Sequence, residues 1–357
     1  MVLAYVVNND NLRNSGFVSV IDIKKHSTIA TIPLSNIPTN INITPNGKLA
    51  YVLITDITNE VSLVSVIDIK THSIIATIQI GSTAGFFSQN VIISFTPDGK
   101  LAYATISGTN IVSAIDTKTH SVIATVPVNI RPEAFAFTPN GKLAYVVNNA
   151  NIGSVSVIDT KTHSVIANVA VGARPIGAAI TPDGKLVYVI NFSSNNVSVI
   201  DAKTQTHITT VRVGIEPASL AITPDGKLTY VVNSNSNDIG SVSVIDVKTQ
   251  SVIRTIPVGN NDNRPNIIAI SPNGNFAYVG TFSGTTVTVI DSQSHLVIAT
   301  IQLDSSQRFV EFTPDGNLAY VGCDSQNTVA VIDTKSHSII ANVLVGGTPE
   351  AIAFTSN

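Results

Sequence analysis

Short apolar runs alternate with short polar turns along the whole chain, and the pattern repeats. Between Pro132 and Val171 the runs fall at Ala134–Thr138, Leu143–Val147, Ser154–Asp159 and Val165–Val171. Each is short and bounded by Gly, Pro, Asn or Asp, which reads as four strands joined by turns. They are named A, B, C and D. In strand C, Val155, Val157 and Asp159 point one way and Ser156 and Ile158 the other. Strand A is apolar on both sides, as suits a strand sandwiched between neighbours. The turn Thr138-Pro139-Asn140-Gly141 puts Pro where its φ is preset and Gly where φ is positive, giving a tight A–B hairpin.

The unit occurs eight times. Strand B carries Tyr5, Tyr51, Tyr103, Tyr145, Tyr188, Tyr230, Tyr278 and Tyr320. Strand C ends at Asp22, Asp68, Asp116, Asp159, Asp201, Asp246, Asp291 and Asp333, spaced 42 to 48 residues apart. The chain starts on a strand B, Val2–Val7, and stops on a strand A, Ala351–Thr355. Pairing these two would hide two open strand edges. The fold class expected is therefore all-β: an eight-bladed β-propeller of four-stranded antiparallel blades, with residues 1–357 as one propeller domain. The ring would be closed by N-terminal strands B, C and D plus the C-terminal strand A.

Composition narrows the function. Apolar residues make up 44% of the chain and charged residues 12%, with a formal charge of −3. That balance argues against a nucleic-acid partner, which needs a clustered basic field. No apolar run reaches the ~18 residues needed to cross a bilayer. Cys323 stands alone, so the chain has no internal disulfide. No secretory leader is visible before the first strand.

Strand B reads Tyr145-Val146-Val147-Asn148 and is followed by VSVIDTKT and VIATVPVG-type runs. These motifs, present at every repeat, resemble the YVTN family of β-propeller repeats. The resemblance implies a surface-layer or cell-surface propeller, in a superfamily that also holds lactonase-type enzymes. Its members often have seven blades, whereas this chain has eight repeats. The chain has no Trp, so it lacks the signatures of WD40 and quinoprotein blades.

Candidate chemistry lies where the repeat holds and where it breaks. His26, His72, His120, His163, His295 and His337 all fall in the C–D turn, with Gln205 in that place where His207 is shifted. Equivalent positions in different blades cannot converge on one metal, so no metal site is expected. These histidines read as surface turn residues whose truncation costs within ~0.5 kcal/mol. The strand-C aspartates should accept hydrogen bonds from the next turn, and the tyrosines should fill blade interfaces.

The D–A loops break the repeat. Aligned on their Pro, Arg131, Arg174, Arg264 and Glu216 share one position, and Glu133 and Glu350 follow it, with Arg308 at the second position by alignment on Thr313. In propellers generally, these loops and the B–C loops surround the channel mouth, so these residues are the ligand-binding candidates; arginine forks suit carboxylates or phosphates. Glu311 takes a strand-A place held by Ala136, Ala179, Ala221, Ala269 and Ala353, the other exceptions being Asn42 and Ser94. A carboxylate there must be paired or reach channel water, and Arg308 is a candidate partner. Phe86 and Phe87, in a long D–A loop, are contact candidates.

With no nucleophile elbow, phosphate loop or metal motif, no catalytic residue and no cofactor are expected. The function expected is a non-enzymatic binding or structural propeller, extracellular or at the cell surface, monomeric, with a protein or glycan partner. The alternative is a lactonase-like hydrolase or lyase acting at the channel mouth.

Overall fold

The computed structural model describes residues 2–10, 15–56, 58–82, 92–106, 109–235, 239–259, 264–281 and 283–356. Phe86 and Phe87 lie outside the described residues. Eight four-stranded antiparallel sheets form, one per repeat, as the pattern predicts. Blade 1 joins Thr348–Phe354 to Leu3–Asp10, Ser15–Asp22 and Ser27–Leu34. Its closing register sets Tyr5 opposite Ala353 and Val6 opposite Ile352. Strands A of blades 2 to 8 are Ile37–Ile43, Ile93–Phe95, Pro132–Phe137, Pro175–Ile180, Pro217–Ile222, Pro265–Ile270 and Gln307–Phe312. Strands A of successive blades contact one another, so they form the inner ring.

The core lies between blades. All eight strand-B tyrosines are fully buried, and clusters such as that around Tyr145, Val157 and Val187 join residues of adjacent sheets. Burying both faces of every sheet supplies the main stabilising term.

The A–B turns form as expected. Gly141 donates to the Thr138 carbonyl at 2.7 Å with φ at +68°, a region that favours glycine. A side chain there would also crowd Pro97 of the preceding blade. The strand-C aspartates cap the next turn: Asp116 accepts from the Lys118 and Thr119 amides at 2.9 and 2.7 Å.

The C–D histidines are more than polar turn residues. Every one of the eight equivalent positions, six His plus Gln205 and Gln250, has φ between +49° and +56°. From this left-handed corner His72, His120, His163, His295 and His337 reach back to the preceding blade. Their Nδ1 atoms lie 2.7 to 3.0 Å from the hydroxyls of Tyr5, Tyr51, Tyr103, Tyr230 and Tyr278. Burial pushes the pKa of these phenols up, so they stay protonated and donate. Where the hydroxyl donates to Nδ1 the ring proton sits on Nε2; the Tyr5 and Tyr230 hydroxyls also reach the Ile69 and Ser292 carbonyls, at 3.2 and 3.4 Å. Gln250 does the same for Tyr188 at 3.0 Å, and Tyr145 instead donates to the Ala202 carbonyl. At the junction of blades 8 and 1, the Tyr320 hydroxyl and His26 Nδ1 are buried without a partner. The repeated histidines are thus interblade latches, which corrects their reading as tolerant surface residues.

Candidate functional site at the channel

The B–C and D–A loops share one face. Arg308, at the start of a strand A, reaches Asp324, just past a strand B, at 3.0 Å. Strand A enters from this face through a β-bulge. In blade 4 Pro132 pairs with Asn148 and Ala134 with Val147, leaving Glu133 unpaired in the ladder. Glu350 occupies the same place in blade 1. In blade 8 the bulge is larger and holds both Arg308 and Phe309. Bulges re-aim side chains, which is why the repeat-breaking residues fall there. Gly322 opposite leaves room for the Phe309 ring, which a side chain at Gly322 would strike.

A cavity of about 540 Å³ is lined by strands A of blades 1, 2, 3, 4 and 8. Strands on opposite sides of a ring share a cavity only at its axis, so this is the central channel. Phe135 and Phe309 come from its opposing walls, but the side chains of Phe309, Ile41, Ile93 and Ile352 are buried in the cores between blades, and only Phe135 is part-exposed. Its polar groups include Glu311, Glu350, Asn42 and Ser94.

The expected mouth residues lie on one face but do not converge. Arg131 bonds Glu133 at 3.1 Å within its own blade, and Asn149 donates to the other Glu133 oxygen at 2.6 Å. Arg174 lies over the Phe192 ring at 5.0 Å. Both Arg131 and Arg174 adopt positive φ, as does Glu216, whose amide bonds the Asn195 side chain. Arg264 is exposed at the loop edge. Arg308 is held by Asp324 and, at 3.7 Å, by Glu350; it is not Glu311's partner. Glu350 also accepts from Asn9 at 2.8 Å, and burial raises its pKa against the opposing pull of Arg308.

Glu311 has no hydrogen-bond or ion-pair partner among the described residues. Its side chain is exposed to the lumen, yet the surrounding wall of protein encloses it. Desolvation by that wall pushes its pKa up to about 7. Register places Glu311 opposite Tyr320, level with Asn42 opposite Tyr51 and Ser94 opposite Tyr103. Asn42 is already committed to the Ile93 carbonyl and the Ile43 amide. Sequence reasoning missed the cavity walls: Phe135 and Phe309 look like ordinary strand-A residues until the bulges turn them.

No group of three or more His, Cys, Asp or Glu among the described residues could hold a metal ion. No helix among them is long and apolar enough to cross a membrane.

Residues 140–272 match the family model of the cytochrome D1 heme domain. No curated protein sequence matches the chain. Among solved structures, dihydro-heme d1 dehydrogenase NirN in complex with DHE is similar, with TM-score 0.78 and 16% identity, over 98% of this chain and 74% of that one. Kuenenia stuttgartiensis hydrazine synthase is similar at TM-score 0.62 and 23% identity, over 73% of this chain and 88% of that one. At such identities these likenesses show the propeller fold. The match to a heme-domain family overturns the expected non-enzymatic surface scaffold, and nothing supports the lactonase-like alternative. The motifs that resemble YVTN repeats describe the blade, and blades of this kind serve more than one function.

Proposed function

We propose that this propeller binds a carboxylated tetrapyrrole of the heme d1 class at the loop-face mouth of its channel, in the service of redox chemistry. The match of residues 140–272 to the cytochrome D1 heme domain carries this reading. The channel supports it for the organic part of such a ligand. A cavity of about 540 Å³ lies within the usual range for cofactor sites, and Phe135 gives it one part-exposed aromatic face.

The iron is a different matter. All seven histidines lie in or beside the C–D turns, on the far face from the mouth, and Cys323 is buried outside the cavity lining. When bound, a heme supplies a one-electron couple; this chain brings neither imidazole nor thiolate to the channel to ligate it. Its own residues would orient the ring and exclude water.

Titration with hemin and with metal-free protoporphyrin, followed by visible absorbance, tests the reading. Both should saturate at similar micromolar affinity, because the contacts are to the ring. Ala353→Trp, which fills the lumen, should weaken both at least tenfold. The absence of saturable binding by either, in a folded protein, overturns the proposal.

A further inference from the structure

The polar groups of the channel are on one side. At the level of the strand-B tyrosines, blades 4 to 7 present Ala136, Ala179, Ala221 and Ala269, whereas blade 8 presents Glu311. Charged groups near this sector are Glu311 and Arg308 from the strand A of blade 8, Asp324 from beyond its strand B, and Glu350 from blade 1. Blades 2, 3 and 4 line the cavity with no charged side chain. Arg308 is already shared between Asp324 and Glu350. Three carboxylates thus face one guanidinium, and the unmatched one is Glu311.

An unpaired carboxylate held in a poorly solvated lumen is destabilising relative to alanine, the residue at the same place in five other blades. What would complete it is a positive charge with N–H donors, entering along the axis between Phe135 and Phe309. We infer that Glu311 is the recognition point for a protonated amine on a channel ligand, a subsite distinct from the arginines of the mouth. A primary ammonium matches it best: it is compact, and it can donate to the carboxylate while its stem lies against the part-exposed Phe135. This inference does not depend on the tetrapyrrole reading.

Binding requires the carboxylate to be ionised. An ammonium ligand therefore displaces a proton from Glu311, and affinity rises with pH through about 7. A ligand carboxylate held by protonated Glu311 would show the opposite slope.

The probes are benzylammonium, benzyl alcohol and benzoate, titrated into the full chain by calorimetry at pH 6 and pH 8. Benzylammonium should bind saturably, about tenfold tighter at pH 8, and the two other probes should not compete. Glu311→Gln should reduce benzylammonium binding at least tenfold without lowering the melting temperature, since it removes an unpaired charge. Equal binding of benzyl alcohol, tighter binding at pH 6, or unchanged binding by Glu311→Gln each overturns the inference. Loss of protoporphyrin binding with amine binding intact would sink only the tetrapyrrole reading.

Discussion

The two faces of the ring are built on opposite rules. On the turn face the same chemistry recurs around the ring: an A–B turn closed by Gly, an aspartate cap, and a left-handed His or Gln aimed at the neighbouring tyrosine. Every lysine of the chain sits there, in an A–B or C–D turn. On the loop face a strand-A Pro and a strand-B Asn bonded to a strand-C Ser recur in several blades, but the D–A side chains around them vary, and the D–A cations are the arginines 131, 174, 264 and 308. Lysine is a strongly hydrated point charge suited to solubility, while arginine's fork holds carboxylates in fixed geometry. The contrast teaches that the turn face stabilises the ring and the loop face has diverged. Function should be sought where the repeat is broken, and stability where it is kept.

The largest effect that could break this contrast is loss of an interblade tyrosine. Tyr188 is fully buried and bonded to Gln250 of the next blade. Tyr188→Ala should cost ~3–5 kcal/mol, as for other buried aromatics. Arg174→Ala, on the loop face, should cost about 1 kcal/mol or less, the usual worth of a cation–π contact at an accessible site. Urea melts of the two variants check the ranking. Equal losses would show that the loop face also carries the fold.

The latches come next. His163→Ala removes the acceptor of the Tyr103 hydroxyl and leaves that part-buried group unsatisfied, so it should cost ~1–3 kcal/mol. His26→Ala should cost less, because His26 Nδ1 and the Tyr320 hydroxyl do not pair. Double-mutant cycles with Tyr103→Phe and Tyr320→Phe sharpen this: coupling of ~0.5–1.5 kcal/mol is expected at the first pair and close to none at the second. Coupling of the same size at both pairs would mean that the ring closes by the same latch throughout.

Much of the turn face could be read from the sequence. Blade count, strand order, closure of residues 2–7 on 351–355, the buried tyrosines and the aspartate caps all follow from local signals repeated eight times. The latch did not, although its signal was present: wherever His leaves the C–D position, another hydrogen-bonding side chain, Gln205 or Gln250, replaces it. Pairing it with the tyrosine required knowing that the turn of one blade lies against strand B of the one before. The channel was legible only as a set of exceptions. Glu311, Arg308, Glu350 and Glu133 stand out in alignment, but their pairings depend on bulges, and a bulge shifts side chains in a way no period-2 pattern reveals. Arg308 was matched to Glu311 for that reason, whereas the enlarged bulge of blade 8 turns it toward Asp324 and Glu350.

The smallest effect expected is a pH dependence confined to the turn face. Burial lowers the pKa of His295, helped by Arg254 and opposed by Asp291; burial likewise lowers that of His337, opposed by Asp333. Each ring sets its Nδ1 against a tyrosine hydroxyl, and the lowered pKa favours the neutral ring there. In the unfolded chain they take up protons near the ordinary histidine value of 6.5, before the folded protein does. The unfolded state thus binds more protons in this window, and stability falls as pH drops from about 6.5 through the lowered folded values, then levels off. Gln250 shows that an amide can fill the same place without titrating. The double variant His295→Gln, His337→Gln should therefore melt at nearly the wild-type temperature at pH 7.5 and lose less than wild type between pH 7 and pH 5. Melting curves at half-unit pH steps measure the difference. A wild type that gains stability on acidification through that range would show that these rings are held as cations, and the tyrosine latch would have to be redrawn with Nδ1 as the donor.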